Sequence, residues 1–376
     1  MIRAIGPYAV VRRLGRGGMA EVYLARAHGA AGFVRDVAIK RIAPERLDEP
    51  ALSRALIREA TLGGALHHRN LVAVLGLGEA DGAYYAVLEY VDGADLARHL
   101  DGPLAIPLAL HIVCELAAGL AHLHAATDPR GLPLGVVHRD VGPANVLVST
   151  TGDVKLGDFG IARAVDRQRQ AETQAGTLKG KYGYMAPEQV LGARVDHRAD
   201  LFSTGIVLAE LLMGRRLFTA AADLDVLLMV RDARLERLER YGRDIPPGLR
   251  QIVERALRRD PDERFPDAGA FRDAIQDFLF EQRLRVGARD LSIFLSSLRR
   301  EEQSPASPPP TQTVSQPGVR PALSGKNPAP PVTIDGPTTM AEQRAESARK
   351  KALVQATREP EVLRQAELIA ATVPPP

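Results

Sequence analysis

Three oxygen-bearing side chains lie within a short span near the middle of the chain. Asp140 and Asn145 are separated by four residues, and Asp158 lies 18 positions after Asp140. Carboxylate and amide oxygens are ligands that suit Mg²⁺ when it carries phosphates. A carboxylate beside such a site can also orient a hydroxyl nucleophile. The three residues therefore indicate phosphate chemistry directed at a hydroxyl group.

A glycine-rich turn near the N-terminus offers a place for the phosphates. Gly15, Gly17 and Gly18 lie between two strand-like runs, and glycine lets backbone amides approach a phosphate without a Cβ in the way. A strand rather than a helix follows the turn, so it is not a dinucleotide-binding fingerprint, and it lacks the Gly-Lys-Ser/Thr of a Walker motif. Taken alone, the turn is equally consistent with an ordinary glycine-rich hairpin.

Lys40 closes the apolar run of residues 37–40. A buried charge without a partner is costly, so this position predicts a carboxylate nearby. The helical segment that follows offers Glu59. The alternative is a lysine on an edge strand whose ammonium group reaches solvent.

Secondary-structure periodicity changes once along the chain, near residue 90. The strand-like runs before that point are 8–14, 21–26, 37–42, 72–77 and 83–89, interrupted by one helical stretch at 50–66. The helical runs after it are 107–125, 200–213, 224–231, 249–258 and 268–284, with a short strand expected at 154–156. A strand-rich small lobe followed by a helix-rich large lobe is predicted, which is an α+β fold.

Composition excludes several classes of protein. Of 376 residues, 45% are hydrophobic and 25% are charged, which is ordinary for a globular chain and not for a collagen-like, coiled-coil or wholly disordered one. A single cysteine, Cys114, permits no intramolecular disulfide and fits a reducing compartment. The net charge of +3 is too small to indicate nucleic-acid binding. We find no targeting signal or membrane segment in the pattern, and we expect a cytoplasmic protein.

The C-terminal part of the chain differs from the rest. All 17 aromatic residues lie at or before Phe294, and residues 304–337 contain ten prolines. Such a segment cannot bury enough apolar surface to offset the entropy of ordering it. We predict a disordered linker at 299–338 and a short tail of helix-forming composition at 339–376. Its proline motifs could instead present extended ligands to a partner, although a passive linker is favoured.

Taken in order, these motifs resemble the signature of the protein kinases, and in particular the bacterial serine/threonine kinases. The resemblance covers residues 8 to about 280. Its parts are the glycine turn at 14–23, the lysine strand at 37–40, the segment 138–147, Asp158-Phe159-Gly160 and Ala186-Pro187-Glu188. It implies a two-lobed protein-kinase fold with a small lobe at 1–92 and a helical lobe with a C-terminal helical extension at 93–298.

The resemblance also implies an activity and its ligands. The chain would transfer the γ-phosphoryl group of ATP to Ser or Thr hydroxyls of proteins, with Mg²⁺ or Mn²⁺ as the metal. Asp140 would be the catalytic base, and Asn145 and Asp158 would hold the metal. Lys40 would hold the α- and β-phosphates and pair with Glu59. The other nucleotide-binding residues implied are Leu14, Gly15, Gly17, Gly18, Val22, Ala38, Glu89, Val91 and Leu147.

Further residues have implied structural roles. Glu188 would pair with Arg264, Asp200 would anchor the catalytic loop, and His138 and Phe159 would pack where the lobes meet. Arg139 would pair with a phosphorylated residue of the activation segment, for which Thr173 and Thr177 are the candidates, modified by self-associated copies of the chain. His122 and His124 are expected at the surface or as partners of a helix dipole.

The sequence departs from the kinase pattern at two positions close to the catalytic aspartate. Most serine/threonine kinases have a lysine where this chain has Gly142, and a threonine where it has Lys181. We hypothesise that Lys181 replaces the missing lysine as a catalytic residue, with Lys179 in reserve. The alternatives are that Lys181 contacts substrate, or that the chain is a nucleotide-binding pseudokinase scaffold with little activity.

Overall fold

A six-stranded antiparallel sheet opens the fold. The computed structural model describes residues 3–99, 102–158 and 182–303. The strands are β1 (Ala4–Ile5), β2 (Tyr8–Arg16), β3 (Ala20–His28), β4 (Val34–Ile42), β5 (Val74–Ala80) and β6 (Ala83–Glu89). Their order across the sheet is β1-β2-β3-β4-β6-β5. The five strand-like runs predicted before residue 90 are all strands, with ends shifted by a few residues.

The two faces of this sheet bury different groups. Tyr23, Ile39 and Tyr85 pack on one face beneath β1. The other face packs against helix α1 (Pro50–Ala65), which presents Leu52, Leu56 and Ala60. Because side chains alternate along a strand, Lys40 shares the face of Ile42, toward α1. The register of the sheet therefore turns Lys40 to the helix that carries Glu59.

A second, three-stranded sheet positions the acidic residues. It consists of β7 (Gly93–Asp95), β8 (Val146–Ser149) and β9 (Val154–Leu156), in that order. Asn145 comes directly before β8, and Asp158 comes two residues after β9. Because β8 and β9 are antiparallel neighbours, the start of one lies beside the end of the other. The hairpin therefore brings Asn145 and Asp158 to the same edge.

The second lobe is helical, as the sequence predicts. Its helices are α2 (Ile106–His124), α3 (Pro187–Val190), α4 (Arg198–Met213), α5 (Asp223–Arg231), α6 (Glu236–Tyr241), α7 (Pro247–Ala256), α8 (Ala268–Glu281) and α9 (Ala288–Gln303). Helix α4 is central, because every residue after Arg198 is buried. Helix α9 extends to Gln303, past residue 299 where the linker was predicted to begin, since no proline interrupts residues 288–304. The predictions for residues 304–376 lie outside the described residues.

Among the described residues, α2 alone is long and apolar enough to cross a membrane by length and composition, with a mean hydropathy of 1.7. The sequence analysis did not single it out. Its apolar residues lie in the core of the helical lobe, where Leu110, Ile112 and Leu116 are fully buried. A helix surrounded by protein on several sides is apolar on all of them, which accounts for the composition of α2.

Helix α9 is fastened to the turn between β8 and β9. The Ser292 hydroxyl donates to the carbonyl of Thr150 at 2.7 Å, and Leu291 and Leu295 are buried in the core of the lobe. Gly152 has a left-handed φ of 88°, and a Cβ built there would overlap the backbone of Ala288. Glycine is required here both by the turn and by the close approach of α9.

We predict that Gly152→Ala destabilises the fold more than the same change at Gly82. Both glycines have positive φ, but a Cβ at Gly82 meets nothing within 4 Å. Gly82→Ala should cost about 1–2 kcal/mol for the backbone conformation, and Gly152→Ala about 1–3 kcal/mol more for overpacking. Urea unfolding of the two variants measures the difference. Equal losses would show that α9 is not held against this turn.

Candidate functional site

Lys40 joins the small lobe to the segment that follows β9. Its Nζ lies 2.7 Å from Oε1 of Glu59 on α1 and 2.8 Å from Oδ1 of Asp158. The Lys40 and Glu59 side chains are only 14% and 11% exposed, whereas Asp158 is half exposed. The sequence predicted all three residues, and the fold brings them together from positions far apart in the chain.

The environment of Lys40 favours its charged form. Burial alone would lower the pKa of the ammonium group, but the carboxylates of Asp158 and Glu59 outweigh this effect and raise the pKa above its ordinary value. Lys40 is therefore a fixed positive charge at neutral pH. A permanent cation of this kind can bind an anionic group, phosphate included.

Asp140 and Asn145 form a second pair within the same loop. The Asn145 Nδ2 donates to the backbone oxygen of Asp140 at 2.7 Å and to its Oδ2 at 3.0 Å. The backbone oxygen of Asn145 accepts from the N–H of Gly157 at 2.9 Å, which ties this loop to the segment before Asp158. Because the amide nitrogen is used within the loop, Oδ1 is the atom of Asn145 suited to a cation. Asn145 and Asp158 thus fit a site for Mg²⁺.

The loop before Asp140 is strained and held by a buried carboxylate. Arg139 has a φ of 64°, a left-handed conformation that is unfavourable for residues other than glycine. The fully buried Asp200 of α4 accepts the N–H of His138 at 2.8 Å and that of Arg139 at 2.7 Å. His124, on α2, bonds the same carboxylate through Nε2 at 2.8 Å. The carboxylate therefore fixes the backbone just before Asp140.

These contacts also set the charge of Asp200. Burial would raise the pKa of its carboxyl group, but the hydrogen bond and charge of His124 and the N–H of Arg139 outweigh burial and lower the pKa. Asp200 is therefore ionised at neutral pH. An ionised acceptor makes stronger hydrogen bonds to the two backbone N–H groups than a neutral one.

His138 is buried as a neutral imidazole. Its Nε2 lies 3.1 Å from the carbonyl of Gly157, and its Nδ1 accepts the N–H of Asp140 at 3.3 Å. An imidazole that donates at Nε2 and accepts at Nδ1 is the neutral tautomer. Burial lowers the pKa of His138 in agreement with this assignment.

Two of the residues expected to bind the nucleotide, Val22 and Ala38, lie on one face of the first sheet. The register pairs Ala38 with Leu24 and Val22 with Lys40, so Val22 and Ala38 share the face of Lys40. On the next strand, Leu88 pairs with Ala38. Leu147, on β8 of the second sheet, is half buried. The resemblance to kinases implies a hinge between the lobes at Glu89 and Val91, where β6 ends.

The hinge itself is braced from behind. Glu89 accepts from the N–H of Ala73 at 3.2 Å and pairs with Lys155 of β9 at 3.0 Å. The Lys155 Nζ also donates to the carbonyl of Arg69 at 2.9 Å. The Glu89 side chain is thus engaged with protein, which leaves backbone groups of the hinge to recognise a ligand.

The glycine turn has room that the protein does not fill. A Cβ built on Gly15 meets nothing within 4 Å, and one built on Gly17 meets only the Ala20 carbonyl, at 3.6 Å. Neither glycine has a positive φ. Packing and backbone conformation therefore do not require glycine at these positions, whereas close approach of a ligand would.

The segment before Ala186 packs against the loop that follows Asp140. The Tyr184 hydroxyl donates to the buried Glu210, whose other oxygen accepts the N–H of Leu217 at 2.9 Å. A Cβ built on Gly142 would lie 3.4 Å from Cγ of Tyr184, so a side chain at 142 would run along this ring. The predicted residues Phe159, Thr173, Thr177, Lys179 and Lys181 lie outside the described residues.

A buried ion pair joins this segment to the base of the helical lobe. The guanidinium of Arg264 donates to both oxygens of Glu188, each at 2.8 Å. Both side chains are buried, and a bidentate pair fixes orientation as well as distance. The two residues that the sequence predicted as partners are therefore in contact.

Three contact residues escaped the sequence analysis. His124 was expected at the surface, but its side chain is only 9% exposed. It follows Leu116 and Leu120 at helical spacing, and this buried stripe was the available signal. The contacts of Lys155 and Gln189 could not be predicted from the sequence. The pattern of a half-buried strand or a short helix does not indicate which backbone carbonyl a polar side chain will bind.

Comparison with known proteins gives consistent matches. The family model described as "Protein kinase domain" matches residues 8–277. Among curated proteins, the chain is 40% identical over 309 residues to "Tyrosine-protein kinase MasK" of Myxococcus xanthus and 34% identical over 268 residues to "Serine/threonine-protein kinase PrkC" of Bacillus subtilis. It is 37% identical over 281 residues to "Serine/threonine-protein kinase PknD" of Mycobacterium tuberculosis.

These matches cover more of this chain than of its relatives. They include 81%, 71% and 73% of this chain but 48%, 39% and 40% of the three relatives, so the chain matches about half of their length or less. Among solved structures, the PknI kinase domain of Mycobacterium tuberculosis, as a C20A mutant, matches with a TM-score of 0.54 and 29% identity. That match covers 74% of this chain and 98% of the other.

We predict that the contribution of His138 to stability depends on pH. His138→Gln should lower the unfolding free energy by about 1–3 kcal/mol at pH 7.5, because it disturbs two buried hydrogen bonds. Below about pH 6.5 the unfolded wild type gains a proton on this histidine while the folded protein does not. The wild type alone then loses up to about 1.4 kcal/mol per pH unit from this residue, so the gap between the two proteins narrows.

Urea unfolding between pH 7.5 and 5 measures this gap. The control variant is His28→Gln, which replaces an exposed histidine at the end of β3. It shows how the same substitution affects the free energy of unfolding at a solvent-exposed site. A gap that stays constant across the range, or widens on acidification, would contradict a neutral buried His138.

Proposed function

The chain belongs to the protein kinase domain family, and from this premise we propose that it is an active serine/threonine protein kinase. It would transfer the γ-phosphoryl group of ATP to hydroxyl groups of protein substrates. The observation that carries the proposal is the Lys40 ammonium, which contacts Glu59 and Asp158 together. A lysine held in this way is a fixed cation beside the residues suited to a metal.

The small lobe would bind the nucleotide. The apolar side chains of Val22, Ala38 and Leu147 would enclose an adenine ring, and the backbone of the hinge at Glu89 and Val91 would recognise its edge. The glycine turn would lie over the phosphates, where backbone N–H groups and the absence of a Cβ allow close approach. Lys40 would bind the α- and β-phosphates through its ammonium group.

The catalytic loop would act on the acceptor. Asp140 would orient the incoming hydroxyl and take up its proton, while Asn145 holds the Asp140 side chain through Nδ2 at 3.0 Å. Asn145 and Asp158 would hold Mg²⁺ through oxygen atoms. Bound Mg²⁺ neutralises charge on the phosphates during transfer.

Serine and threonine are the acceptors we favour, and tyrosine is the second candidate. The names of PrkC and PknD support the first class, at 34% and 37% identity. The name of MasK supports the second, at 40% identity. Gly142 is a departure from the first class, because most serine/threonine kinases have a lysine at this position. Phosphoamino-acid analysis of the phosphorylated product distinguishes the two classes.

A pseudokinase scaffold is less consistent with the site. A pseudokinase has typically lost one of the groups that hold phosphate or metal, whereas Lys40, Asp140, Asn145 and Asp158 are all present. We further propose that the kinase acts on protein substrates in the cytoplasm. Self-association would allow one copy to phosphorylate another.

We predict that Lys40→Met lowers turnover by at least two orders of magnitude, because an electrostatic clamp of this kind is worth several kcal/mol. Lys155→Met is the matched control. Lys155 is also a largely buried lysine with a carboxylate at 3.0 Å, but it lies outside the proposed phosphate site and should lose far less. Steady-state phosphorylation of a degenerate peptide library measures both. Turnover close to wild type in folded Lys40→Met would remove the proposed role of Lys40.

We predict that incubation with Mg-ATP phosphorylates the protein on Thr173 or Thr177. A phosphate adds a charge of about −1.5 to −2 and can order a segment against arginine, here Arg139. Intact-mass analysis and phosphopeptide mapping identify the sites, with Asp140→Asn as the inactive control. A rate per molecule that rises with protein concentration would indicate transfer between copies. Phosphate found only on Tyr182, with neither threonine modified, would instead indicate a tyrosine kinase.

We predict that Lys181 and Gly142 are coupled. If Lys181 supplies the charge that the missing lysine supplies in most serine/threonine kinases, Lys181→Ala alone should lower kcat strongly. Adding Gly142→Lys should restore part of the loss, since charge on the transferred phosphoryl group still needs stabilisation. A double-mutant cycle measures the coupling. Simple additivity, or an unchanged kcat with a raised KM for peptide, would instead indicate a substrate-contact lysine.

A further inference from the structure

Gln189 is a buried amide that contacts two separate parts of the site. It lies in the short helix α3 and is 4% exposed. Its Oε1 accepts the N–H of Ala186 at 2.9 Å, within its own segment. Its Nε2 donates to the backbone carbonyl of Arg139 at 3.2 Å, in the catalytic loop. Both ends of one rigid amide are thus used, on opposite sides.

The second contact falls on the peptide bond next to the catalytic aspartate. The carbonyl of Arg139 and the N–H of Asp140 belong to the same planar unit. Gln189 holds its oxygen, and Nδ1 of His138 accepts from its nitrogen at 3.3 Å. The plane of this peptide bond is therefore fixed at both polar atoms. Its orientation determines the direction in which the Asp140 side chain leaves the backbone.

This peptide bond needs external support. Arg139 has a left-handed φ of 64°, and such a conformation persists only where surrounding contacts over-determine it. Asp200 holds the N–H groups of His138 and Arg139 from α4. Those bonds fix the backbone before Arg139, whereas the bond from Gln189 fixes the backbone after it. Loss of the Gln189 donor would leave the carbonyl of Arg139 buried without this partner and the peptide plane able to rotate.

We propose that Gln189 is a positioning residue, which sets the orientation of Asp140 by holding the Arg139 carbonyl from the segment that begins at Tyr182. The proposal rests on the proposed kinase activity. It makes the hydroxyl-orienting carboxylate dependent on where residues 182–190 lie. Gln189 itself touches neither substrate nor phosphate in this role.

A simpler reading is that Gln189 only caps its helix. Glutamine at the third position of a helix often accepts the N–H of the residue before the helix, as Gln189 does with Ala186. Glutamate makes the same contact and is favourable near a helix N-terminus. Gln189→Glu therefore keeps the cap and the size of the side chain, but removes the N–H donor to Arg139. The two roles are separated by one substitution.

The test compares wild type with Gln189→Glu under Mg-ATP and the degenerate peptide library. Positioning predicts that kcat falls about tenfold or more, since misplacement of about 1 Å can cost up to about 100-fold. The KM for ATP should not change, because Lys40 and the hinge are untouched. Ser149→Ala is the control for loss of a buried hydroxyl and its bond to Asp153 in the β8–β9 turn, and its kcat should match wild type.

A second measurement does not depend on activity. Hydrogen–deuterium exchange at the amide of Asp140 should be at least about tenfold faster in Gln189→Glu, while exchange at residues 186–191 stays the same. This arm separates failure of the positioning role from failure of the proposed function, because it applies even to a wild type that transfers no phosphate. Should Gln189→Glu not fold, Gln189→Met removes the same donor without adding charge. Because it also removes the cap, its exchange at Asp140 is compared with its exchange at residues 186–191, and positioning predicts the larger increase at Asp140.

Any one of three results would overturn the proposal. One is a folded Gln189→Glu protein with kcat within twofold of wild type, which would leave Gln189 as a helix cap alone. Another is unchanged exchange at Asp140 in the variant that folds. A parallel fall in kcat for Ser149→Ala would also overturn it, since the effect would then follow from general destabilisation.

Discussion

The buried carboxylate of Asp200 is the interaction on which the site depends. It is ionised and fully buried, and it accepts two backbone N–H groups and the ring of His124. An ionised group in such a place is stable only when its oxygens are satisfied by well-placed donors. This requirement also constrains the backbone of His138 and Arg139, because both N–H groups must point at the same carboxylate. The left-handed conformation of Arg139 follows from this geometry.

The loop that carries Asp140 is held mainly by hydrogen bonds to its backbone groups. Asp200 binds N–H groups from α4, His138 connects the loop to Gly157 before Asp158, and Asn145 holds the carbonyl of Asp140. Gln189 adds a bond to the carbonyl of Arg139 from α3. Backbone groups cannot change rotamer, so a loop held in this way keeps its side chains within a narrow range of directions.

The small lobe contributes the ion pairs of Lys40, which join separate elements of the fold. Lys40 lies on a rigid sheet, but its two carboxylate partners lie on α1 and after β9. In a partly buried site, the attraction between these charges is stronger than in water. A single ammonium group therefore holds the helix and the β8–β9 hairpin to the sheet. Movement of α1 would break this contact without disturbing the core that surrounds Asp200.

The sequence by itself determined the lobes and the candidates Lys40, Glu59, Asp140, Asn145 and Asp158. It also determined six of the strands and six of the helices to within a few residues, but not the short elements β1, β7, β8, α3 and α6 or the bounds of α9. Periodicity reports which residues are buried, and motif order reports which chemistry is present, so these features need no knowledge of distant contacts. The tertiary structure decided the partners. His124 meets Asp200 across 76 positions and Gln189 meets Arg139 across 50. Those pairings follow from how α2, α3 and α4 pack around a strained loop, and local patterns carry no information about the backbone groups that such packing brings together.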